Sequence, residues 1–382
     1  MAATAHALLS ASSAHRWLVC TAAPKLEAEF PDTTSTYAKE GTLAHEICEL
    51  KLTKYITTMP RGTYTKKLNA LKKHELYDPE MDETTDTYLD YVKRTALSYS
   101  VPPSIQIERR VNFSDYAPEG FGTADCLLLA GDTLHVIDYK HGLGILVSAE
   151  KNSQLSCYAL GALDLFDGIY DIERITLVIY QPRRANISLY EMGKDELLAW
   201  ANDILAPAAK LAQEGKGEFK AGDHCQFCKA KANCRKRAEY NLELAKYDFE
   251  VPATLEDSEV AAILPRIDDL VSWAGDVKDY ALQKALSGTR FDGFKVVEGR
   301  SNRKYTDEDA VAKAVKAAGF EPYEQKLLGI TAMSQVLGKK KFEELLGELV
   351  YKPAGKPVLV PDSDKRPAMN TAADDFGAAS TL

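Results

Sequence analysis

Two aspartates and a lysine near the middle of the chain have the types and spacing of a metal-dependent hydrolytic site. Asp138 and Lys140 are two residues apart at the end of an apolar segment, so they share one face of an extended strand. Asp125 lies thirteen residues before Asp138, and a hairpin can bring the two carboxylates together. Paired carboxylates suit Mg²⁺ or Mn²⁺, and a nearby ammonium can orient water or stabilise charge on a phosphate. The set therefore indicates phosphodiester hydrolysis, although Asp-x-Lys alone also fits a surface ion pair.

A second group of chemically active residues is a cluster of cysteines. Cys225, Cys228 and Cys234 form a C-x2-C-x5-C pattern, and three such close thiolates favour a soft metal or a cluster. Zinc is the ordinary interpretation of a C-x2-C half-site. A fourth ligand must come from elsewhere, either His224 or a distant cysteine. The total of seven cysteines is odd and does not indicate a disulfide framework.

The composition is that of an ordinary globular protein, with 45% hydrophobic and 27% charged residues. No run of 18 apolar residues occurs, so we expect no membrane-spanning helix. The Ala- and Ser-rich N-terminus lacks the basic start of an export signal, and we expect a cytoplasmic protein. The net charge of −9 counts mildly against DNA binding, but an enzyme needs only a local basic track.

The hydrophobic pattern predicts an α/β core with a mixed sheet, because its order is helix, three strands, helix, strand, helix. Gly131-Asp132 suits a two-residue hairpin turn, and the apolar run 174–180 suits a buried parallel strand. A long helix is expected at 258–286, followed by two strand-like segments and further helices within 290–350. The core helices are predicted at 37–55, 82–99, 150–165 and 193–214, and the strands at 105–111, 123–130, 133–139 and 174–180.

Five short motifs occur along the chain in the same order as in the RecB-like branch of the PD-(D/E)XK nuclease superfamily, and the chain resembles that branch. The branch includes the nuclease domains of RecB and AddB and the Cas4 exonucleases. The resemblance covers roughly residues 10–240 and implies a restriction-endonuclease-like core with a mixed central sheet flanked by helices. The matching segments are Gly41–His45, Glu108, Asp125, Asp138–Lys140 and Gln154–Tyr158.

This resemblance also implies roles for individual side chains. His45 would bind the metal with Asp125 and Asp138, Glu108 would complete the site, and Lys140 would assist the nucleophile. Gln154 and Tyr158, one helical turn apart, would contact DNA or position the lysine. Each also has a simpler interpretation: a core histidine for His45, a solvated strand residue for Glu108, and helix capping or packing for the Gln154–Tyr158 pair.

The cysteines match the iron–sulfur branch of the same nucleases, in which one cysteine precedes the nuclease motifs and three follow as C-x2-C-x5-C. The resemblance implies a [4Fe–4S] cluster, with Zn²⁺ as the alternative, held by Cys20, Cys225, Cys228 and Cys234. Such a cluster would join chain segments about 205 residues apart, and its role would be structural first. The remaining cysteines are expected in the core: Cys48, Cys126 and Cys157.

Basic residues at the edges of the predicted core could follow DNA phosphates, although scattered solvated charges are an equally good interpretation of any one pair. Nothing indicates base-specific contacts, so little sequence preference is expected. The candidates are Arg109, Arg183, Arg184 and Arg235.

The chain also resembles the DUF2800 family of uncharacterised phage and prophage proteins. The similar segments are Ser12–Trp17, Gly41–Glu46 and Lys356–Ala368. This resemblance implies a mobile-element context and assigns no chemistry to residues 250–382.

The sequence thus predicts a nuclease domain at 1–245, a helical or α+β accessory region at 246–350 and a flexible tail at 351–382. The predicted function is a metal-dependent DNA exonuclease in phage recombination or replication, in the cytoplasm of a bacterial host. Its substrates would be DNA ends or single strands, with a phage recombination or single-strand-binding protein as a possible partner. The alternatives are an inactive nuclease-fold DNA-binding protein and a zinc-stabilised binding module.

Overall fold

The computed structural model describes residues 7–31, 35–244, 255–298, 305–323 and 327–351, and the single positions 360, 364 and 367. Its helices and strands, in chain order, are α1 (Ala14–Trp17), α2 (Ala23–Glu27), α3 (Thr36–Ile56), α4 (Arg61–Leu71), α5 (Glu80–Leu97), β1 (Ser104–Asn112), β2 (Phe121–Ala130), β3 (Thr133–Tyr139), α6 (Ser153–Leu165), β4 (Arg174–Gln181), β5 (Asn186–Gly193), α7 (Lys194–Trp200), α8 (Ala206–Glu214), α9 (Arg235–Leu242), α10 (Asp257–Leu286), α11 (Glu308–Ala317), α12 (Ile330–Leu337) and α13 (Lys339–Leu346).

Five strands form one mixed sheet in the order β1-β2-β3-β4-β5, which confirms the expected α/β class with a mixed sheet. β3 and β4 run parallel, and all other neighbours are antiparallel. The hairpin between β2 and β3 turns at the expected place: Ala130 pairs with Thr133, and Gly131 has a φ of +61°, which glycine adopts without steric penalty. The predicted buried strand is β4, all of which is buried after Arg174.

The edge strand β5 is an element that the sequence pattern did not predict. It pairs with β4 along its whole length after a short 3₁₀ turn at Pro182–Arg184. Apolar Ile187 and Leu189 point to solvent, so the usual alternation of buried apolar and exposed polar residues is missing. The turn also ends with Ala185 at a φ of +49°, a position where sequence reasoning looks for glycine or asparagine.

Helices cover both faces of the sheet. On one face α6 packs against β1 to β4, and Leu127, Val136 and Leu155 belong to that core. On the other face α3 and α5 cover residues such as Cys126 and Ile137. Successive strand residues alternate between faces, so Asp138 shares the α6 side with Val136. The three cysteines expected in the core are buried.

Two glycines allow α6 to approach the sheet closely. A Cβ at Gly161 would lie 2.8 Å from the Val111 Cβ and 2.9 Å from the Asn112 backbone. A Cβ at Gly122 would lie 2.6 Å from the Tyr158 ring. The Asn152 side chain caps the start of α6 by accepting the Leu155 N–H, as a helix N-cap should. These contacts hold α6 against β1 and β2, and Gln154 in its first turn reaches Asp138 at the end of β3.

The rest of the chain differs from expectation in several places. The predicted helix 193–214 is divided into α7 and α8 by a π-helical segment, Ala201–Leu205, and α4 was not predicted. The prediction of two strand-like segments within 290–350 is wrong for the described residues there, which include helices and no strand. The apolar Val296 and Val297 are exposed, with no partner strand in the described part of that region to complete a ladder.

The chain divides into two compact units, 1–289 and 290–382. The first unit therefore contains α10 as well as the sheet, and the three-region division drawn from the sequence stays a prediction. Almost all of the predicted flexible tail, 351–382, lies outside the described residues. In the described part of the chain, no helix combines the length and the apolar character that crossing a membrane requires.

Candidate metal centre and cysteine pocket

The middle of β2 and the end of β3 bring Asp125, Asp138 and Lys140 together, as the hairpin predicted. The Asp125 Oδ2 accepts the backbone N–H of Tyr139 at 2.7 Å, which connects the two strands beside the site. Asp138 is buried, and its Oδ2 lies 2.9 Å from the Lys140 Nζ. The backbone N–H of Lys140 donates to the Tyr180 carbonyl on β4, so the lysine is held at the end of two parallel strands.

His45 and Glu108 reach the same carboxylate from other elements. His45, on α3, places its Nδ1 3.4 Å from the Asp125 Oδ2. His45, Glu108 and Asp125 each offer one ligand atom, and these atoms all lie within 4.8 Å of one another. The resemblance implied a metal held by His45, Asp125 and Asp138, with Glu108 completing the site; Asp138 is not one of these three clustered residues. The trio is the arrangement expected of a small metal site with nitrogen and oxygen ligands.

Glu108 has an unusual backbone for a strand residue. Its φ is +45°, in the left-handed region that non-glycine residues rarely occupy. Its neighbours Ile107 and Arg109 pair regularly with β2, opposite Cys126 and Ala124. The distortion is therefore confined to the carboxylate residue opposite Asp125. Local strain of this kind is concentrated at functional sites, where the surrounding structure holds it.

Gln154, in the first turn of α6, bridges the two charged groups at the end of β3. Its Oε1 accepts from the Lys140 Nζ at 3.3 Å, and its Nε2 lies 3.4 Å from the Asp138 Oδ1. The same Nε2 donates to the Tyr158 hydroxyl at 2.9 Å. The structure thus brings together the two helix residues that the sequence singled out. Their amide and hydroxyl orient the Asp138–Lys140 pair from one side.

The Asp138 Oδ2 is buried, and the Lys140 Nζ at 2.9 Å is its ion-pair partner. A carboxylate has about four lone-pair sites, so this contact leaves further acceptor capacity on Asp138. A hard cation is the kind of partner that uses such oxygen ligands. The donor set, two aspartates with Glu108 and His45, therefore fits Mg²⁺ or Mn²⁺.

The charges of the site oppose one another. Burial by itself would lower the pKa of His45, but the Asp125 carboxylate raises it to about 9. Burial raises the pKa of Glu108 to about 7, and the negative charge of Asp125 adds to this. Burial also raises the pKa of Asp138, against the opposing effect of Lys140. Three carboxylates thus lie close together in a confined space. A bound divalent cation would stabilise their negative charges.

A polar network supports the site from behind and was not predicted. The Tyr139 hydroxyl donates to Thr84 on α5 and lies 3.1 Å from the His141 Nδ1, while the His141 Nε2 lies 3.3 Å from a Glu40 carboxylate oxygen on α3. The available signals were the position of His141 directly after Asp-x-Lys and of Glu40 one turn and a half before His45 on α3.

The predicted DNA-contacting arginines have different surroundings. The Arg183 guanidinium is half-buried in ion pairs with Glu40 at 3.1 Å and Glu80 at 3.0 Å. It therefore joins the ends of α3 and α5 to the end of β4. The other three candidates are exposed: Arg109, Arg184 and Arg235.

The four cysteines singled out in the sequence line one pocket. Cys20 lies before α2, and its Sγ accepts the Lys220 N–H at 3.4 Å, which connects the N-terminal segment to the region before the C-x2-C pair. Burial raises the pKa of Cys225, and it raises the pKa of Cys228 to about 12. Basic side chains line the same pocket: Arg16, Lys220, Lys231, Lys236 and Arg237.

The separations of the cysteine sulfurs can be compared with those around a bound zinc ion. Thiolates around one zinc ion are separated by roughly 3.8 Å, because each Zn–S bond is about 2.3 Å and the geometry is tetrahedral. Among the described residues, no three cysteines bring their Sγ atoms within 4.8 Å of one another. His224, the other proposed ligand, has its Nε2 3.9 Å from the Cys225 Sγ and 2.9 Å from the Lys220 carbonyl oxygen.

The family model described as "Protein of unknown function (DUF2800)" matches residues 6–367. Among solved structures, this chain is similar to one described as "Crystal structure of SSO0001", with 16% sequence identity. The similarity covers 56% of this chain and 95% of that chain, and the TM-score is 0.24. Agreement that low carries no argument about fold or function.

Proposed function

The chain belongs to the DUF2800 family, and from the geometry of its site we propose that it is a metal-dependent DNA nuclease with a PD-(D/E)XK-type core. The observation that carries the proposal is the junction at the end of β3. There the buried Asp138 forms an ion pair with Lys140 beside the cluster of His45, Glu108 and Asp125. A simple surface ion pair would not be buried, nor would it collect three further metal-binding groups.

Each side chain has a role in this proposal. His45, Glu108 and Asp125 would hold the cation from three separate elements, and Asp138 would complete its oxygen ligands. Bound Mg²⁺ or Mn²⁺ would polarise the phosphate and activate water. The Lys140 ammonium, held by Asp138 and Gln154, would orient that water and stabilise negative charge developing on the phosphate.

The resemblance to RecB-like nucleases suggests cleavage from DNA ends, and the DUF2800 resemblance suggests phage recombination or replication. Exposed Arg109, Arg184 and Arg235 are available to phosphates, whereas Arg183 is engaged by two glutamates. Contacts of this kind are independent of sequence and become weaker as salt increases.

For the cysteine pocket we propose a [4Fe–4S] cluster rather than zinc. The pattern of one upstream cysteine followed by C-x2-C-x5-C, which resembles that of the iron–sulfur branch of the RecB-like nucleases, supports the cluster. The basic lining suits four thiolates, because it offsets the negative charge that they bring into a half-buried site. The pocket joins Cys20 to the end of the nuclease core, so the cluster would stabilise the fold.

The decisive experiment measures degradation of end-labelled linear and closed circular DNA, single- and double-stranded, by anaerobically purified protein with Mg²⁺ or Mn²⁺. We expect degradation of linear DNA and its loss in Asp138→Asn and Lys140→Ala. The matched control is Asp132→Asn, since Asp132 lies in the exposed β2–β3 turn and pairs with Arg174. Circular dichroism of each variant confirms that it is folded.

The other outcomes assign other functions. Cleavage of circles as well as linear DNA would mean an endonuclease that uses the same site. DNA binding without cleavage under any condition would mean a binding protein on a nuclease-like scaffold. Equal activity in wild type and both active-site variants would refute the assignment of this site.

A further inference from the structure

The loop that follows Lys140 exposes three aliphatic side chains beside the proposed active site. Leu143, Ile145 and Leu146 have 50%, 53% and 57% of their surface exposed. Single exposed apolar residues are normal, but three within four positions form a patch, and such patches usually mark a contact surface.

The backbone of this loop is held in place, so the exposure is a fixed feature of the fold. Gln181, buried at the end of β4, donates from its Nε2 to the Gly142 carbonyl at 2.9 Å and the Ile145 carbonyl at 3.0 Å. Its Oε1 accepts the Val147 N–H at 3.3 Å. Asn186, on β5, donates to the Val147 carbonyl at 2.9 Å. Two side chains thus fix the loop backbone while its aliphatic side chains face solvent.

The patch lies within reach of DNA bound at the site. Leu143 is three residues after Lys140 and Leu146 is six, so their Cα atoms lie no more than about 11 Å and about 22 Å from that of Lys140. Because bases in a strand are stacked about 3.4 Å apart, these limits correspond to roughly three to six base steps from the reacting phosphate. Exposed Arg184 donates to the Leu143 carbonyl at 3.1 Å, which adds a positive charge beside the patch.

We propose that this loop, Gly142–Ser148, is a wedge that separates the strands of a duplex DNA end, with Leu143, Ile145 and Leu146 contacting the unstacked bases. The inference rests on the proposed nuclease function and names its substrate as duplex ends. Aliphatic side chains inserted at a base step unstack it, and a rigid loop does this without losing entropy of its own. The position beside Lys140 and the adjoining arginine favour nucleobases over a protein or a lipid surface.

A binding experiment tests the wedge without requiring cleavage. The probe is blunt duplex DNA with 2-aminopurine in the terminal base pairs, and Ca²⁺ replaces Mg²⁺. We expect the wild-type protein to increase the fluorescence at least twofold, and the triple variant Leu143→Ser, Ile145→Ser, Leu146→Ser to bind without that increase. The matched control is Ile187→Ser with Leu189→Ser, two aliphatic residues of β5 with 45% and 55% exposure. This control should behave as the wild type does.

A cleavage experiment separates failure of the wedge from failure of the nuclease. With Mg²⁺, we expect the ratio of duplex to single-strand degradation to fall at least tenfold in the triple variant and to stay unchanged in the β5 control. An unchanged ratio in the triple variant, including an equal decrease in both activities, would overturn the wedge and leave the nuclease proposal standing. If the wild type degrades neither substrate, the nuclease proposal fails. In that case the 2-aminopurine experiment alone tests the wedge. If the wild-type protein does not increase the 2-aminopurine fluorescence, the wedge is refuted.

Discussion

Asp125 and Tyr139 connect β2 and β3 through one hydrogen bond, in which the Tyr139 backbone N–H donates to the Asp125 Oδ2 at 2.7 Å. His45 faces the same oxygen at 3.4 Å. The carboxylate is thereby fixed at the point where α3, β1, β2 and β3 meet. Fixed ligands lose little entropy when a cation binds, so the fold itself prepares the site.

Replacing Asp125 with asparagine should abolish tight metal binding and leave the fold intact. Asparagine keeps an oxygen for the Tyr139 N–H but removes the charge that attracts the cation. We expect the Mn²⁺ affinity, measured by calorimetry, to fall at least about tenfold. Asp132→Asn should bind Mn²⁺ as the wild type does. Unchanged affinity in Asp125→Asn would place the metal elsewhere.

Gln154 is expected to act on the rate of the reaction rather than on substrate binding, because it contacts Asp138 and Lys140. In Gln154→Leu, Lys140 loses a fixed partner, and we expect kcat to fall about 10- to 100-fold with little change in KM. The matched control is Gln283→Leu, on the exposed surface of α10. A rise in KM at constant kcat would show instead that Gln154 binds DNA.

Cys20→Ala should remove the cluster and destabilise the protein. The cluster would close a loop of about 205 residues between Cys20 and Cys225. In the chain-entropy model, opening a loop of that length lowers the free energy of unfolding by about 5 kcal/mol, so the melting temperature should fall markedly. We also expect loss of bound iron and of the absorbance at about 400 nm. Cys48→Ala, in the core and outside the pocket, should retain both. A colourless wild-type protein containing zinc would contradict the cluster.

Arg237 should hold α10 against the cysteine pocket. It is fully buried, lines that pocket, and donates to Asp269 at 2.7 Å and Asp276 at 2.6 Å. Arg237→Met leaves two partly buried carboxylates without this partner. We expect the free energy of unfolding to decrease by about 3 kcal/mol. Hydrogen exchange of 257–286 should accelerate, whereas Lys236→Met, its exposed neighbour, should leave it unchanged. A wild-type exchange rate for 257–286 in Arg237→Met would show that Arg237 does not hold α10 in place.

His135 should make stability depend on pH. Burial lowers the pKa of its imidazole in the folded state, and its Nε2 lies 2.6 Å from the Tyr99 hydroxyl. Between this lowered folded pKa and the unfolded pKa of about 6.5, the unfolded chain binds a proton that the folded protein does not, so stability falls as pH falls through this window. The slope from this group is at most about 1.4 kcal/mol per pH unit.

Denaturant unfolding between pH 7.5 and 5 measures this slope. In His135→Gln we expect a less steep loss of stability as pH falls. Tyr99→Phe, which removes only the hydroxyl partner, should keep the slope, because burial is the main cause of the shift. A slope in His135→Gln equal to that of the wild type would exclude this histidine as a contributor.

Several features were predictable because they depend on neighbours in the chain. The Gly131-Asp132 turn follows from local backbone preferences, and this turn alone brings Asp125 beside Asp138. The two-residue period of a strand then puts Lys140 on the same face as Asp138. The C-x2-C-x5-C spacing likewise keeps three cysteines within ten residues of one another, and all three line one pocket. In each case, a few residues of sequence contain the whole physical cause.

Other features were decided only by packing between distant elements. Nothing near Glu108 in the sequence signals its positive φ, which depends on its place opposite Asp125. The sequence predicted that Arg183 contacts DNA, but in the structure its guanidinium forms ion pairs with Glu40 on α3 and Glu80 on α5. β5 has no apolar alternation of its own and exists because β4 offers a free edge. Short-range pattern records local preference, whereas charge pairing and edge pairing depend on which surfaces the folded chain brings together.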